Sequence, residues 1–384
     1  MRLKDLIGLL DTWYDPRWAE PSDAVGLTCG DPEREVHRVL FAVDIVAAVV
    51  DEAIEHAVDV VVTHHPLLLT PVSSVAATTG KGRVIHRLLR HDIALFTAHT
   101  NADVPADGVN DALAGVLDLE DVRVLSPTDE AGLDKLVVFV PTGSAEDVRQ
   151  AVTTAGAGAV GAYDSCTFSA LGEGRFRPRG GARPAVGEVG SLEVVEEVRV
   201  EAVYPRSLRS RIVEVVRAAH PYEEPAFDLV ELADVPGGPA TGSPPAATRG
   251  HGRIGRLPVE VSLRDFAERV GGALPPTAHG VRVAGDPARP VRTVAVGAGS
   301  GDSLLADVAR SGADVYVTSD LKHHRAVEHL EDGGPALVDV AHWAAEWTWL
   351  PVVEEKVRRA AVEAGDTVDT RVSTTVTDPW TFRV

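Results

Sequence analysis

Residues 58–65 read Val-Asp-Val-Val-Val-Thr-His-His, a run of β-branched residues that ends in two adjacent histidines before Pro66. So short an apolar run, preceded by the amphipathic stretch AAVVDEAIEHA at 47–57, reads as a strand buried on both faces. A strand over HRVLFAVD at 37–44 precedes it; a helix near 82–91, a strand at 93–98 and a helix opening at Gly108 follow. This alternation predicts a parallel sheet covered by helices. After residue 290 the same grammar returns: VRTVAVG, a helix after SGDSLL, DVYVTSD, a helix from about 322, ALVDVAH, and a final helix from about 343 to 362. VDVVVTHH at 58–65 and ADVYVTSD at 313–320 share the frame apolar-Asp-Val-x-Val-Thr. The expectation is a duplicated unit forming one bipartite α/β domain, with ligands collecting at the carboxyl ends of its strands.

The region between the halves differs. DKLVVFVP at 134–141 and EVRVEAVYP at 197–205 read as strands, 145–156 and 207–221 as helices, and 156–187 as a glycine-rich loop. The expected organisation is 1–128 for the first half of the domain, an α+β insert at 129–235, a flexible linker at 236–250, and 251–384 for the second half.

A chain of 384 residues is long enough for several cores, and 45% apolar residues is ordinary for a globular protein. The formal charge of −20 argues against nucleic acid or an anionic membrane as the main partner. No stretch reaches the roughly 18–20 apolar residues of a membrane span, and MRLKDLIGLLDTWYDP lacks a signal-peptide core. Cys29 and Cys166 are expected to stay reduced in a cytoplasmic protein.

Three apolar runs end in metal-ligating types. His64 and His65 close the first, Asp103 follows LFTAHTN, and His342 and Glu346 follow ALVDVA. Five such ligands exceed one closed tetrahedral zinc and suit two divalent ions, zinc, iron or manganese. Pro66 turns the chain after the tandem histidines, which lets both reach adjacent metals although a straight strand would oppose them. The i, i+4 spacing of His342 and Glu346 places both on one helical face. His99, Lys322 and His324 are candidates for moving protons or holding an anion. GAGSGDSLL at 297–305 reads as a glycine-rich turn into a helix, a possible anion cradle without the Walker ending.

Taken in order, THHPLLL, AHTNADVPADGVNDALA, GRIGRL, GAGSGDS, TSDLKHH, DVAHWAAE and the terminal TDPWTFRV resemble the Nif-three-like family, whose members are labelled GTP cyclohydrolase 1 type 2 homologues. GAYDSCTF, GEGRF and HPYEEPAFDL resemble that family's PII/CutA-like insert. The resemblance implies a two-metal site on His64, His65, Asp103, His342 and Glu346, a toroidal homohexamer, and hydrolytic opening of GTP to formate and a dihydroneopterin triphosphate. A phosphoesterase or amidohydrolase, or a non-catalytic regulatory scaffold, would use the same residues. The chain departs from the family where Trp-Asp-Asn-Val-Gly-Leu is common: it reads Ser22-Asp23-Ala24-Val25-Gly26-Leu27. Ala341-His342-Trp343 likewise replaces the common Gly-His-Tyr.

Overall fold

The computed structural model describes residues 1–128, 133–160, 163–233 and 249–384. Two compact units emerge: Met1–Ser126 with Thr248–Val384, and Pro127–Ala247. The expected linker at 236–250 lies, apart from its last two residues, outside the described residues.

The larger unit is α/β and contains two sheets. In the first, the strand order is Gly26–Cys29, Ala94–Thr97, Val60–Thr63, Arg38–Ala42 and Asp369–Val372. In the second it is Arg282–Ala284, Ala336–Val340, Val315–Ser319, Pro290–Ser300, Gly250–Ser262 and Glu120–Pro127. Each sheet carries the same four-strand module: three parallel strands joined through helices, flanked by a short antiparallel strand that precedes them in the chain. Val60–Thr63 and Val315–Ser319 hold the same central place in their modules, so the shared frame reflects a shared topology. The sheets are therefore mixed, where the pattern of apolar runs predicts parallel ones. The antiparallel flanking strands have only four and three residues, too short to leave a periodic signal.

Each half gives its last strand to the other half's sheet. Glu120–Pro127 closes the second sheet beyond Gly250–Ser262, and Asp369–Val372 pairs in parallel with Arg38–Ala42 in the first. One apolar core joins the halves. Val60, Val62 and Phe96 of the first sheet share it with Val294, Val315, Val317 and Val338 of the second. The intervening residues point the other way: Val61 packs under Ala47–Glu55 and Gly80–Arg90, and Tyr316 under Leu305–Ser311. Such two-faced burial is why these strands are apolar throughout.

The expected helix at 343–362 is two, His342–Trp347 and Leu350–Glu363. Pro351 cannot donate to the Trp347 carbonyl, so the helix stops and restarts.

The smaller unit is an antiparallel sheet in the order Thr167–Phe176, Glu193–Pro205, Leu133–Pro141, Phe227–Glu231. Helices Ala145–Thr154 and Arg209–Ala219 cover it through Val148, Val152, Ile212 and Val216. The stretch read as loop at 156–187 thus contains a ten-residue strand. It is an edge strand, mostly exposed on both faces and interrupted by Gly172 and Gly174, so no apolar alternation marks it.

Asp134 anchors this unit. Its carboxylate is enclosed and accepts from Arg206 Nε at 3.0 Å and Arg209 Nε at 2.7 Å. Burial works against its charge, but Arg209 and Arg206 outweigh it and hold its pKa below the usual value. A depressed folded-state pKa stabilises above the unfolded value of about 4 and is lost as pH falls through the lowered folded value. Asp134→Ala should destabilise the unit by about 2 kcal/mol, since it removes two charge-assisted hydrogen bonds, although both arginines keep Glu231 as a partner. Chemical denaturation followed by circular dichroism should show this gap at pH 7 and its closure in acid; a gap that persists unchanged below about pH 3 would refute the linkage.

Candidate metal centre

Four histidines and two carboxylates, Asp103 and Glu346, converge at the carboxyl ends of the first sheet's strands and the start of His342–Trp347. His64 and His65 follow Val60–Thr63, and their amides extend the ladder to Ala42 O and Val43 O. Their rings stand 5.1 Å apart with a 40° tilt, on the same side of the turn. The chain past the strand end is twisted enough to defeat the alternation of a straight strand.

Every ring is fixed from behind. His64 Nδ1 donates to Ala98 O at 3.0 Å, His65 Nδ1 to Asp44 Oδ1 at 2.7 Å, and His342 Nδ1 to Asp320 Oδ2 at 2.7 Å. The Nε2 atoms then share one target. Glu346 Oε1 lies 2.8 Å from His342 Nε2 and 3.4 Å from His64 Nε2, and Oε2 lies 2.9 Å from His65 Nε2. Asp103 Oδ1 is 3.7 Å from His64 Nε2. Outward-held Nδ1 protons that aim Nε2 lone pairs inward are the arrangement of ligating histidines.

Glu346 is buried, and its Oε2 makes no hydrogen bond of proper geometry despite its short approach to His65. With the His65 Nδ1 proton committed to Asp44, Nε2 meets Oε2 through a second proton or, when the ring is neutral, lone pair to lone pair, a conflict that a cation between them removes. The donor set of imidazole nitrogens and carboxylate oxygens suits zinc, iron or manganese. Groups able to hold an ion form around His64, His65 and His99, and around His65, His342 and Glu346, each with ligand atoms within 4.8 Å of one another.

The electrostatics agree. Burial opposes charging of His65, but Glu346 and Asp44 overcome it and lift its pKa to about 11. His342 is likewise lifted to about 9 against burial by Glu346 and Asp320. Glu346 is held well below the usual carboxylate range by the three imidazoles, in spite of its burial. Burial, by contrast, raises Asp103. Protons or cations must answer this negative field, and a divalent ion competes with the ring protons for the same lone pairs.

Of the other candidates, His99 enters the cluster, its ring 5.1 Å from that of His64. Its Nδ1 donates to Asp23 Oδ1 at 2.7 Å, and Asp23 also accepts from Thr100 N and Oγ1. Asp23, the residue retained from the common Trp-Asp-Asn pattern, thus reaches the cluster through His99. Lys322 and His324 are exposed at the start of His323–Glu331, and among the described residues neither touches the cluster. Asp320 is the member of that stretch that does.

The glycine-rich stretch does lead, as expected, into helical turns at Asp302–Leu304 and Leu305–Ser311, but its first part has another purpose. Strand Pro290–Ser300 runs through Gly297 and Gly299, and Gly299 has φ +73°. A Cβ there would stand 2.6 Å from Glu346 Oε1 and 3.3 Å from His342 Nε2. The glycine gives the carboxylate its space.

Two further residues escape motif reading because they act through backbone. Arg253, 2% exposed, donates to Val104 O and Pro105 O just past Asp103, to Gly250 O and Gly252 O, and to Asp111. Asn110 donates to Asp103 O at 2.9 Å and accepts from Ala298 N at 2.9 Å. Together they bind the Asp103 segment of the first half to the second. A cavity of about 200 Å³ leads outward from His65 and His342 to Trp380. Thr377 pins this terminal segment by donating to Asp44.

Comparison with known proteins places this geometry. The family model Duf34/NIF3 (NGG1p interacting factor 3) matches residues 1–379. The chain is 49% identical over 381 residues to a GTP cyclohydrolase 1 type 2 homolog of Mycobacterium tuberculosis, covering 99% of this chain and 97% of that one. It is 38% identical to the Bacillus subtilis protein of the same name, covering 99% and 98%. Among solved structures, a Bacillus cereus protein related to NIF3 is 37% identical with a TM-score of 0.71, covering 100% of this chain and 99% of that one. Staphylococcus aureus SA1388 is 29% identical with a TM-score of 0.73 and the same coverage. The chain belongs to the Duf34/NIF3 family.

Proposed function

We propose that the chain is a metal-dependent hydrolase that holds two divalent cations on His64, His65, Asp103, His342 and Glu346 and acts on a nucleotide such as GTP. The observation that carries this reading is the set of three imidazoles with Nδ1 committed outward and Nε2 meeting on one buried carboxylate. The cations supply Lewis acidity and lower the pKa of water, which gives a nucleophile at neutral pH.

The chain's own residues do the rest. Burial works against the charge on Asp23, but His99 and Thr100 hold it far below the usual carboxylate range. It stays an anion and keeps the His99 proton on Nδ1, so the other ring nitrogen is the one open to the cluster. There it takes a proton from an attacking water or returns one to a leaving group. Trp380 offers a flat wall for a base at the mouth of the cavity.

The name shared by the relatives makes GTP the first substrate to test. One water at guanine C8 would open the imidazole ring to a formamide, a second would release formate, and condensation of the ribose-derived carbons with the freed amine, with loss of one water, would close the pterin ring. The family resemblance also supports self-association as a hexamer. A regulatory scaffold is the second reading, favoured by the tightness of the ligand cage around Glu346.

Metal analysis of the purified protein should find about two ions per chain. Both His64→Ala and Glu346→Ala should lose most of them in folded protein; unchanged metal content would dismiss the site. Asp44→Asn and Asp320→Asn should bind metal about 10–100-fold more weakly, because each removes the acceptor that orients a ring. Gly299→Ala should have at least as large an effect on metal content, read beside circular dichroism to separate it from unfolding.

For the reaction, metal-loaded protein is incubated with GTP and a panel of phosphoesters and amides, and products are followed by mass spectrometry. Formate with a pterin triphosphate, abolished by a chelator and by Asp103→Asn, is the expected result. Turnover of a phosphoester alone would retain the hydrolase and reject GTP; no turnover of any compound would favour the scaffold.

A further inference from the structure

The insert has a cavity of its own, about 250 Å³, bounded by Gly174, Phe176, Pro178, Pro184, Glu197 and Tyr222, with the charged residues Arg175, Arg177, Glu223 and Glu224 also lining it. Glu197 lies on the long strand Glu193–Pro205 and is only 9% exposed. Its Oε1 accepts from the Tyr222 hydroxyl at 3.1 Å, and among the described residues no cation forms an ion pair with it. A largely buried carboxylate given one neutral donor keeps hydrogen-bonding capacity to spare, since each oxygen accepts two hydrogen bonds. Gly174 makes the room for it: a Cβ there would stand 2.2 Å from Glu197 Oε2.

The surroundings are built rather than incidental. Burial and Glu197 push the Tyr222 phenol up to about 12, so it remains a donor and Glu197 remains the acceptor of the cavity. The Phe176 and Tyr222 rings meet at 5.4 Å and form an aromatic wall. His220 backs Tyr222 at 5.0 Å; its Nε2 donates to Phe139 O at 2.9 Å and its Nδ1 accepts from Tyr222 N at 3.1 Å, which fixes both residues. Across the cavity, Gly190 N bonds to Pro178 O and Arg183 N to Glu223 Oε1, both at 2.9 Å, and hold the proline-bearing segment closed over it. GEGRF and HPYEEP, two motifs the metal centre leaves unexplained, supply Gly174, Phe176, His220, Tyr222 and Glu223.

We propose that this cavity binds a planar heterocycle presenting a ring N–H beside an exocyclic NH₂, the edge found on guanine, with that edge on Glu197 and its face on Phe176 and Tyr222. Two N–H groups in a row match the paired oxygens of a carboxylate in the bidentate, charge-assisted manner. Adenine puts a lone pair where guanine has its ring N–H and meets the carboxylate with repulsion. Hypoxanthine keeps the ring N–H and loses the amino group. The wall of aromatic and proline residues supplies stacking and apolar contact. This inference is independent of the reading of the metal centre.

The test is isothermal titration calorimetry of the full chain with guanosine, inosine, adenosine and L-arginine, in wild type and in the Glu346→Ala background. Guanosine should bind in both backgrounds, inosine about tenfold more weakly, and adenosine not measurably. Glu197→Gln should weaken guanosine about 30-fold. Ala185→Trp, at an exposed rim position, should block binding without entering the core, and circular dichroism checks that both variants fold. Loss of guanosine binding in Glu346→Ala alone would move the site to the metal centre and overturn the proposal. Equal binding of guanosine and adenosine, or indifference to both Glu197→Gln and Ala185→Trp, would also overturn it. Binding of L-arginine in place of guanosine would show that the donor pair belongs to a guanidinium and reject the heterocycle.

Discussion

A single buried carboxylate sets the terms for the larger unit. Glu346 sits beneath the surface with the Nε2 atoms of three imidazoles around it, and burial of an ionised group is tolerated only with such compensation. Each compensating ring must itself be held, and the holders are spread along the chain: Asp44 after one strand, Ala98 after another, Asp320 after a third. Gly299 must lack a side chain, and Asn110 and Arg253 must fasten the Asp103 segment to the opposite half. The demand of one residue thus explains why distant parts of the sequence carry polar groups at strand ends.

The parts of this design that were legible in sequence are those carried by side-chain type and period. Fully apolar runs at 60–63 and 315–319 announced strands covered on both faces, and histidines at their ends announced a site. His64, His65, Asp103, His342 and Glu346 are brought together in the structure, as is His99. The illegible parts act through backbone or through absence. Arg253 looks like any surface arginine in GRIGRL, yet it is buried against four carbonyl oxygens. Gly299 matters for the atoms it lacks, which a motif of glycines cannot distinguish from a flexible turn.

Edge strands were the other blind spot. Thr167–Phe176 is exposed on most of its length, and Gly26–Cys29 is only half-buried, so neither shows the alternation that half-buried strands leave in sequence. Their existence is decided by the partner strand, Glu193–Pro205 in one case and Ala94–Thr97 in the other. Pairing across a sheet is long-range information that local composition does not contain.

The reciprocal gift of terminal strands bears on how the molecule is born. Asp369–Val372 is made long after Arg38–Ala42, and until it is, that edge has no partner on that side. Glu120–Pro127, made early, must wait for Gly250–Ser262 before it has a sheet to join. Neither half closes by itself during synthesis, and His342 and Glu346 emerge long after His64, His65 and Asp103. Closure of the first sheet and completion of the ligand set around Glu346 therefore both wait for the second half of the chain, although His64, His65 and His99 are made long before it.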